Sequence, residues 1–445
     1  MRPLFLMVGG AVLSTLLITE TALAAEEAAV LNTGDTAFIL LCAALVMLMT
    51  PGLAMFYGGM VRDKNVLSIL MQCLAVMALV SVQWVLLGYT LAFGPDHGLV
   101  IGGLDFLGLK GVGMEPVSDT VRVPQAAFAA FQLMFAMITA ALIAGSVAER
   151  MRFSAFVAFT VLWTTLVYDP LAHWVWGGGW MAQLGIMDFA GGTVVHISSG
   201  VSGLVAALVL GKRLGKDKEV IRPHHLPMTM LGAGLLWFGW FGFNAGSALA
   251  ADGIAAQAFL VTNLCAAAGV LSWVSVEWIH HGKPTLFGAA SGAIAGLVCI
   301  TPAAGFVSPL SAVIMGLLVG PLCYLAVSKV KEKFGYDDSL DAFGIHGVGG
   351  TLGALLTGVF ASTVVNPAGF DGWLAGNPGQ FMLQALGVIA TYLYAGVGTY
   401  LILTVISKFT HLRVSAAEEE YGLDQSLHGE AAYVNTDLSS TAQAS

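Results

Sequence analysis

Uninterrupted apolar runs recur along the chain, many of them more than 18 residues long and nearly free of charge. No other feature constrains the fold as much. Each run is long enough to cross a bilayer core of about 30 Å as a helix. The runs are continuous rather than alternating, which argues against a transmembrane barrel. Only 10% of the residues are charged and 57% are hydrophobic, whereas a soluble domain carries about 25% charged residues. That is too little polar surface to cover a globule. The expected fold class is an all-α polytopic membrane protein, and the abundant glycines suit close approach of its helix backbones.

Eleven spans are read, near 36–58, 66–93, 125–147, 154–176, 192–210, 226–247, 255–279, 286–303, 309–328, 341–361 and 381–407. Upstream of them, "MRPLFLMVGGAVLSTLLITETALAA" has one basic residue, Arg2, an apolar core and the small-residue site "ALA", the pattern of a cleavable signal peptide over 1–24. Residues 25–35 would then be a periplasmic N-terminus, 36–410 the membrane domain and 411–445 a cytoplasmic tail. Apart from Arg2, 15 of the 17 lysines and arginines fall on alternate loops, with only Lys110 and Arg122 on the other side. The positive-inside rule makes those alternate loops cytoplasmic, so the N-terminus lies outside and the C-terminus inside. The net charge of −9 comes largely from the acidic tail and outer loops and implies no nucleic-acid partner. The five cysteines all fall in apolar runs without a CxxC pair and read as buried small hydrophobes.

Eleven spans divide as five, five and one. Two five-span halves have opposite orientation, an arrangement common among secondary transporters. Spans 5 and 10 can be compared directly. His196 is followed by Gly200 and Gly203, and His346 by Gly350 and Gly353, the same spacings of four and seven along one helix face. Asp188 and Asp341 precede the two histidines and read as caps of spans 5 and 10. Ionisable groups at membrane depth are costly and usually face a path or a partner. Two facing histidines could also be a buried structural pair. Two imidazoles are too few to close a zinc site, and no nucleophile or cofactor motif accompanies them, so neither metal, cofactor nor enzyme is expected.

Aromatic residues gather near the outer ends of other spans: Phe128, Phe131 and Phe135 on span 3, "AHWVWGGGW" at the end of span 4 and "WFGWFGFNAGS" at the end of span 6. An interfacial aromatic belt explains many of them. A few that converge would attract a cation through their ring faces, with a serine hydroxyl as acceptor. Together "DFAGGTVVHISSGVSGLVAALVLGKR", "WFGFNAGS", "AFGIHGVGG" and "FYGGMVRDKNVLS" resemble the ammonium transporter family, the Amt/Rh superfamily, of the bacterial Amt type, from about residue 33 to the "EYGLDQSLHGEAAY" of the tail.

The resemblance implies an eleven-helix bundle with an inverted five-plus-five repeat and one C-terminal helix, assembled as a homotrimer with one pore per subunit. It implies that Trp176, Ser247 and Phe131 form an external recruitment site, with Asp188 beneath it as an organising carboxylate. Phe135 and Phe243 would be a stacked gate, and His196 and His346 the paired pore histidines. The implied activity is recruitment of ammonium, its deprotonation, and passage of ammonia, the proton travelling separately through the imidazoles. The segment "EYGLDQSLHGEAAY" resembles a structured tail that, with the cytoplasmic loops, helps dock a PII-type nitrogen-regulatory protein at the inner membrane; beyond Val434 an acidic disordered end is expected. Asp337 and Asp338 read as a solvated turn, His224–His225 and His280–His281 as interfacial, and Asp169 has no assigned role. An ammonium sensor and a neutral-gas channel of Rh type remain as alternatives.

Overall fold

The computed structural model describes residues 30–218 and 221–433. The expected signal peptide and the expected disordered end lie outside them. Ten helices among the described residues are long and apolar enough to cross a membrane. In chain order they are α1 (Thr33–Met60), α2 (Asp63–Phe93), α3 (Gln125–Val147), α4 (Phe153–Gln183, broken after Val175), α5 (Gly192–Leu210), α6 (Leu226–Gly246), α7 (Gly253–His281), α9 (Pro309–Phe334), α10 (Phe343–Phe360) and α11 (Pro378–Ser407). Between α7 and α9 lies the shorter apolar helix α8 (Leu286–Ile300). It stops short of the expected 303 because Pro302 has no N–H with which to continue the ladder. Side-chain caps start several of these helices: Asn32 at α1, Asp252 at α7, Thr285 at α8 and Ser308 at α9. A short antiparallel pair, β1 (Asp96–His97) and β2 (Ile101–Gly102), decorates the loop between α2 and α3.

Helices α5 and α10 cross where their backbones nearly touch. A Cβ on Gly200 would stand 2.3 Å from the Gly347 nitrogen, and one on Gly350 would stand 2.9 Å from the His196 Cβ. Only glycine permits this approach, and the approach brings the two histidines together. The second glycine of each helix packs elsewhere, Gly203 on Ser146 of α3 and Gly353 on Cys299 of α8. Each histidine sits in a π-helical turn, Gly192–Ile197 or Phe343–Gly347, that opens its helix. Such turns interrupt the regular ladder and often mark functional positions.

Two sequence expectations are corrected here. Asp341 does not cap α10: its carboxylate pairs with Lys331 at 2.6 Å, and Asp338 accepts from the Phe343 N–H at 2.7 Å instead. Asp337 and Asp338 do not form a solvated turn, since both are buried. The corrected register is the better match. Asp188 and Asp338 each stand eight positions before a histidine, and five positions before it each chain has a positive φ, 115° at Gly191 and 62° at Asp341.

The tail packs against the bundle end where α2 begins. A short helix, α12 (Ala416–Tyr421), opens with a capping box of Ser415 and Glu418. The Asp424 carboxylate then accepts from the N–H groups of Leu67 and Ser68 at 3.0 and 2.8 Å, which caps α2 from 356 residues away. Asn65 Oδ1 takes the Leu423 N–H at 2.9 Å, and Glu419 takes that of Leu214 at 2.6 Å. All five cysteines are buried and free of disulfides.

Candidate functional site

A cavity of about 300 Å³ opens at the end of the bundle where α5 begins, lined by Phe128, Gln132, Phe135, Val175, Trp176, Phe189, Ser247 and Leu249. Three of the residues singled out from the sequence, Trp176, Ser247 and Phe135, therefore line one space. Phe131 is fully buried behind it, its ring 4.9 Å from that of Phe135. Ser247 donates its hydroxyl proton to the Phe243 carbonyl at 2.9 Å, which leaves its oxygen lone pairs available as acceptors.

Asp188 holds the rim in place. Its carboxylate accepts from the N–H groups of Gly191 (2.8 Å), Gly192 (2.6 Å), Thr193 (2.7 Å) and Val194 (3.3 Å), and from the Thr193 hydroxyl. Its carbonyl takes the Trp176 indole N–H at 2.9 Å. One residue thus caps α5, complements the positive end of its dipole and orients the tryptophan. Because the oxygens are so heavily engaged by backbone, Asp188 shapes the site without presenting a free acceptor to it.

Below the cavity the aromatic rings form a stack. Phe135 meets Trp176 edge-on at 5.8 Å and stacks on Phe243 at 4.2 Å. Phe243 lies 6.1 Å from the His196 ring, which also stacks on Trp240 at 5.4 Å. His196 Nδ1 and His346 Nδ1 are 3.3 Å apart, and His196 Nε2 lies 3.3 Å from the Thr301 hydroxyl. Both histidines line a narrow lumen with Met49, Leu53, Ile138, Leu142, Val195, Leu236, Trp240, Phe243 and Ile294. The free space there is about 10 Å³, room for roughly one water-sized molecule. Its walls are apolar except for the two imidazoles and the Trp240 ring.

A family model described as "Ammonium Transporter Family" matches residues 37–433. The chain is 56% identical over 400 residues to the "Ammonium transporter" of Bacillus subtilis (strain 168), covering 90% of this chain and 98% of that relative. The chain belongs to the ammonium transporter family. Among solved structures it resembles Saccharomyces cerevisiae Mep2 with a TM-score of 0.84 at 39% identity, over 91% of this chain and 92% of that one. It also resembles a "Sensor Amt Protein" with a TM-score of 0.83 at 30% identity, over 90% and 98% of the respective chains.

At the opposite end of α5 this family member carries a buried ion network. Arg213 bonds Asp337 through both terminal oxygens at 2.9 Å and Glu149 at 3.1 Å, and Arg62 completes the group at 2.9 Å from Glu149. Burial alone would raise both carboxyls. The bidentate bond and charge of Arg213 overcome it at Asp337, and the charges of Arg213 and Arg62 do so at Glu149, so both lie below the ordinary carboxylate range. Burial lowers the neighbouring Arg150 to about 10, still cationic near neutrality. Arg150 donates to the carbonyls of Gly211 and Asp337 at 2.8 and 2.6 Å and so ties the end of α5 to the turn before α10.

Sequence reasoning missed Trp240 and Thr301 as neighbours of His196. Trp240 stood inside a quoted aromatic motif, but nothing local set it apart from a belt residue. Asp169, which had no assigned role, is fully buried in α4 and accepts from Gln83 Nε2 at 2.7 Å.

Proposed function

We propose that this chain is a membrane transporter for ammonium and ammonia. The observation that carries the reading is the unbroken succession Trp176, Phe135, Phe243, His196 and His346, which joins an aromatic cavity to a narrow apolar lumen. Ring faces in the cavity attract a cation by about 0.5–2 kcal/mol, and the Ser247 oxygen offers an acceptor. That is enough to recruit ammonium without trapping it. A bare ion does not enter an apolar lumen cheaply, since desolvating an unpaired charge costs far more than these contacts return. In this reading ammonium gives up its proton below the cavity, ammonia passes Phe135 and Phe243 and then the histidines, and the imidazoles relay the proton. Potassium, which has no proton to lose, is refused.

The chain would span the cell inner membrane eleven times, α8 being the eighth crossing, with α1 to α5 and α6 to α10 as inverted halves. Matching support comes from Asp188 and Asp338 at equal distance from their histidines, from paired π turns, and from the packing of α5 on α3 and of α10 on α8. The cavity would face outside, and the basic ends of α5 and α9 the cytoplasm. A homotrimer, a cleaved signal peptide and docking of a PII-type protein at the cytoplasmic face complete the proposal, which requires no cofactor.

The test is the current in proteoliposomes under an ammonium gradient, compared with potassium. His196→Ala together with His346→Ala should abolish ammonium current or admit potassium. Unchanged current with unchanged potassium exclusion would sink the relay. The likeness to a sensor favours one second reading, in which pore occupancy is reported to a cytoplasmic partner. A protein that binds ammonium yet carries no net flux in the same liposomes would support that reading instead.

A further inference from the structure

We propose that Thr301 is a positioning residue that fixes the tautomers of both lumen histidines. Its hydroxyl has one proton and two lone pairs. The proton goes to the Leu297 carbonyl at 2.8 Å, because a carbonyl can only accept. One lone pair receives the Trp240 Nε1–H at 2.9 Å, because an indole nitrogen can only donate. The remaining lone pair faces His196 Nε2 at 3.3 Å. That contact is a hydrogen bond only when His196 Nε2 carries a proton.

The rest follows ring by ring. Among the described residues neither imidazole bonds a carboxylate, so a neutral pair is the form this apolar lumen accommodates. With Nε2 protonated, the Nδ1 of neutral His196 is bare. The Nδ1–Nδ1 contact at 3.3 Å then needs the proton on His346, which leaves His346 Nε2 bare. Thr301 touches only His196, yet it sets the proton position on both rings.

Read together with the relay proposed above, on which its functional meaning rests, this arrangement has a direction. The one bare nitrogen not already engaged is His346 Nε2. A proton bound there makes an N–H bond. The His346 Nδ1–H bond breaks as that proton moves to His196 Nδ1, and the His196 Nε2–H bond breaks as a proton leaves toward the cavity side. Charge and protons balance at every stage. A proton arriving from the cavity side needs the reversed tautomers, in which a bare His196 Nε2 faces the lone pair of Thr301. The pair must regain those reversed tautomers before each inward passage, and the passage itself ends in the arrangement that Thr301 favours. One neutral hydrogen bond favours that arrangement on the order of tenfold.

Solid-state NMR of protein in bilayers with ring-¹⁵N-labelled histidine tests this. The two lumen signals are identified by their loss in His196→Ala and His346→Ala. The wild-type spectrum should show His196 protonated at Nε2 and His346 at Nδ1, with the reversed pair at about a tenth or less. Thr301→Val keeps the shape, removes the hydroxyl and should bring the two tautomers to comparable populations. Thr301→Ser should restore the wild-type pattern, which a merely structural role for the threonine methyl would not do. Reversed tautomers in the wild type, or an unchanged pattern in Thr301→Val, overturns the proposal, and the wild-type spectrum decides even if the valine variant does not fold. The relay is tested separately by the ammonium current of the His196→Ala, His346→Ala double variant, so a failure of one is distinguishable from a failure of the other.

Discussion

Substituting Gly200 by alanine should disable transport without replacing any residue of the lumen. The Cβ would stand 2.3 Å from the nitrogen and 2.6 Å from the Cα of Gly347, both backbone atoms that cannot rotate aside. Relieving the contact to an ordinary 3.4 Å moves α5 and α10 apart by about 1.1 Å. The two Nδ1 atoms, now 3.3 Å apart, would open to about 4.4 Å, beyond hydrogen-bond range. Overpacking of this kind costs about 1–3 kcal/mol, small enough for such a bundle to remain folded. Gly396→Ala on α11 is the matched control: its Cβ would meet Val201 and Val205 side chains at 3.5 and 3.9 Å, ordinary contacts on the same helix α5. Thermal unfolding and ammonium-dependent current in proteoliposomes are the two measurements. Gly200→Ala should unfold modestly earlier and lose most of its current, and Gly396→Ala should match the wild type in both. A Gly200→Ala protein with full current would refute the claim that the helix crossing sets the imidazole contact.

Asp188→Asn keeps the shape but turns one acceptor oxygen into an amide donor that faces backbone N–H groups, so at least one of them goes unpaired. A loss of about 1–3 kcal/mol and a changed Trp176 fluorescence should follow, and an unaltered emission spectrum would count against its positioning of the indole. Asp424→Ala removes the acceptor of two N–H groups at the start of α2, and about 0.5–2 kcal/mol of capping with it. Hydrogen exchange should quicken both there and in α12, and unchanged protection would show that the tail is held by other contacts. The Asp337 carboxyl lies below its unfolded value of about 3.9. Its contribution is therefore complete above that value and is lost as pH falls through the depressed folded one. Asp337→Asn should remove this part of the acid destabilisation while costing about 1–3 kcal/mol near neutrality, because Arg213 loses its bidentate partner and keeps only Glu149. Melting temperatures of variant and wild type that fall in parallel below pH 4 would exclude Asp337 as a source.

Much of this architecture was legible because a membrane imposes a coarse requirement, a long apolar run, that a sequence displays openly. The histidine pair was legible for a second reason: the four- and seven-residue glycine spacings repeat after each histidine, and close helix approach can use little else. The carboxylate before α10 was misread. Asp341 is nearer to its histidine, but the chain takes a left-handed step there and places its carboxylate on Lys331, while Asp338 reaches the cap. No helix spacing encodes that step. Asp337 looked solvated for a related reason. Its partner Arg213 is 124 residues away, and only the return of α10 beside the end of α5 makes the pair. Thr301 was invisible in the same sense, since a threonine at the end of an apolar helix has no local mark of the histidine it will meet 105 residues earlier.

The placement of charge around the lumen follows one physical rule. On the path proposed above, a carboxylate with free lone pairs would hold ammonium too long, and a free guanidinium would repel it. At the cavity end Asp188 is engaged by four backbone N–H groups and a hydroxyl, so its charge is spent on the positive end of α5. At the far end Asp338 accepts the Phe343 N–H that opens α10, while Asp337 and Glu149 are balanced by Arg213 and Arg62. What faces the lumen between these two ends is apolar wall and two imidazoles. In the relay proposed above, a neutral imidazole takes a proton at one ring nitrogen as it gives one up at the other, which no guanidinium or fully engaged carboxylate beside it is free to do.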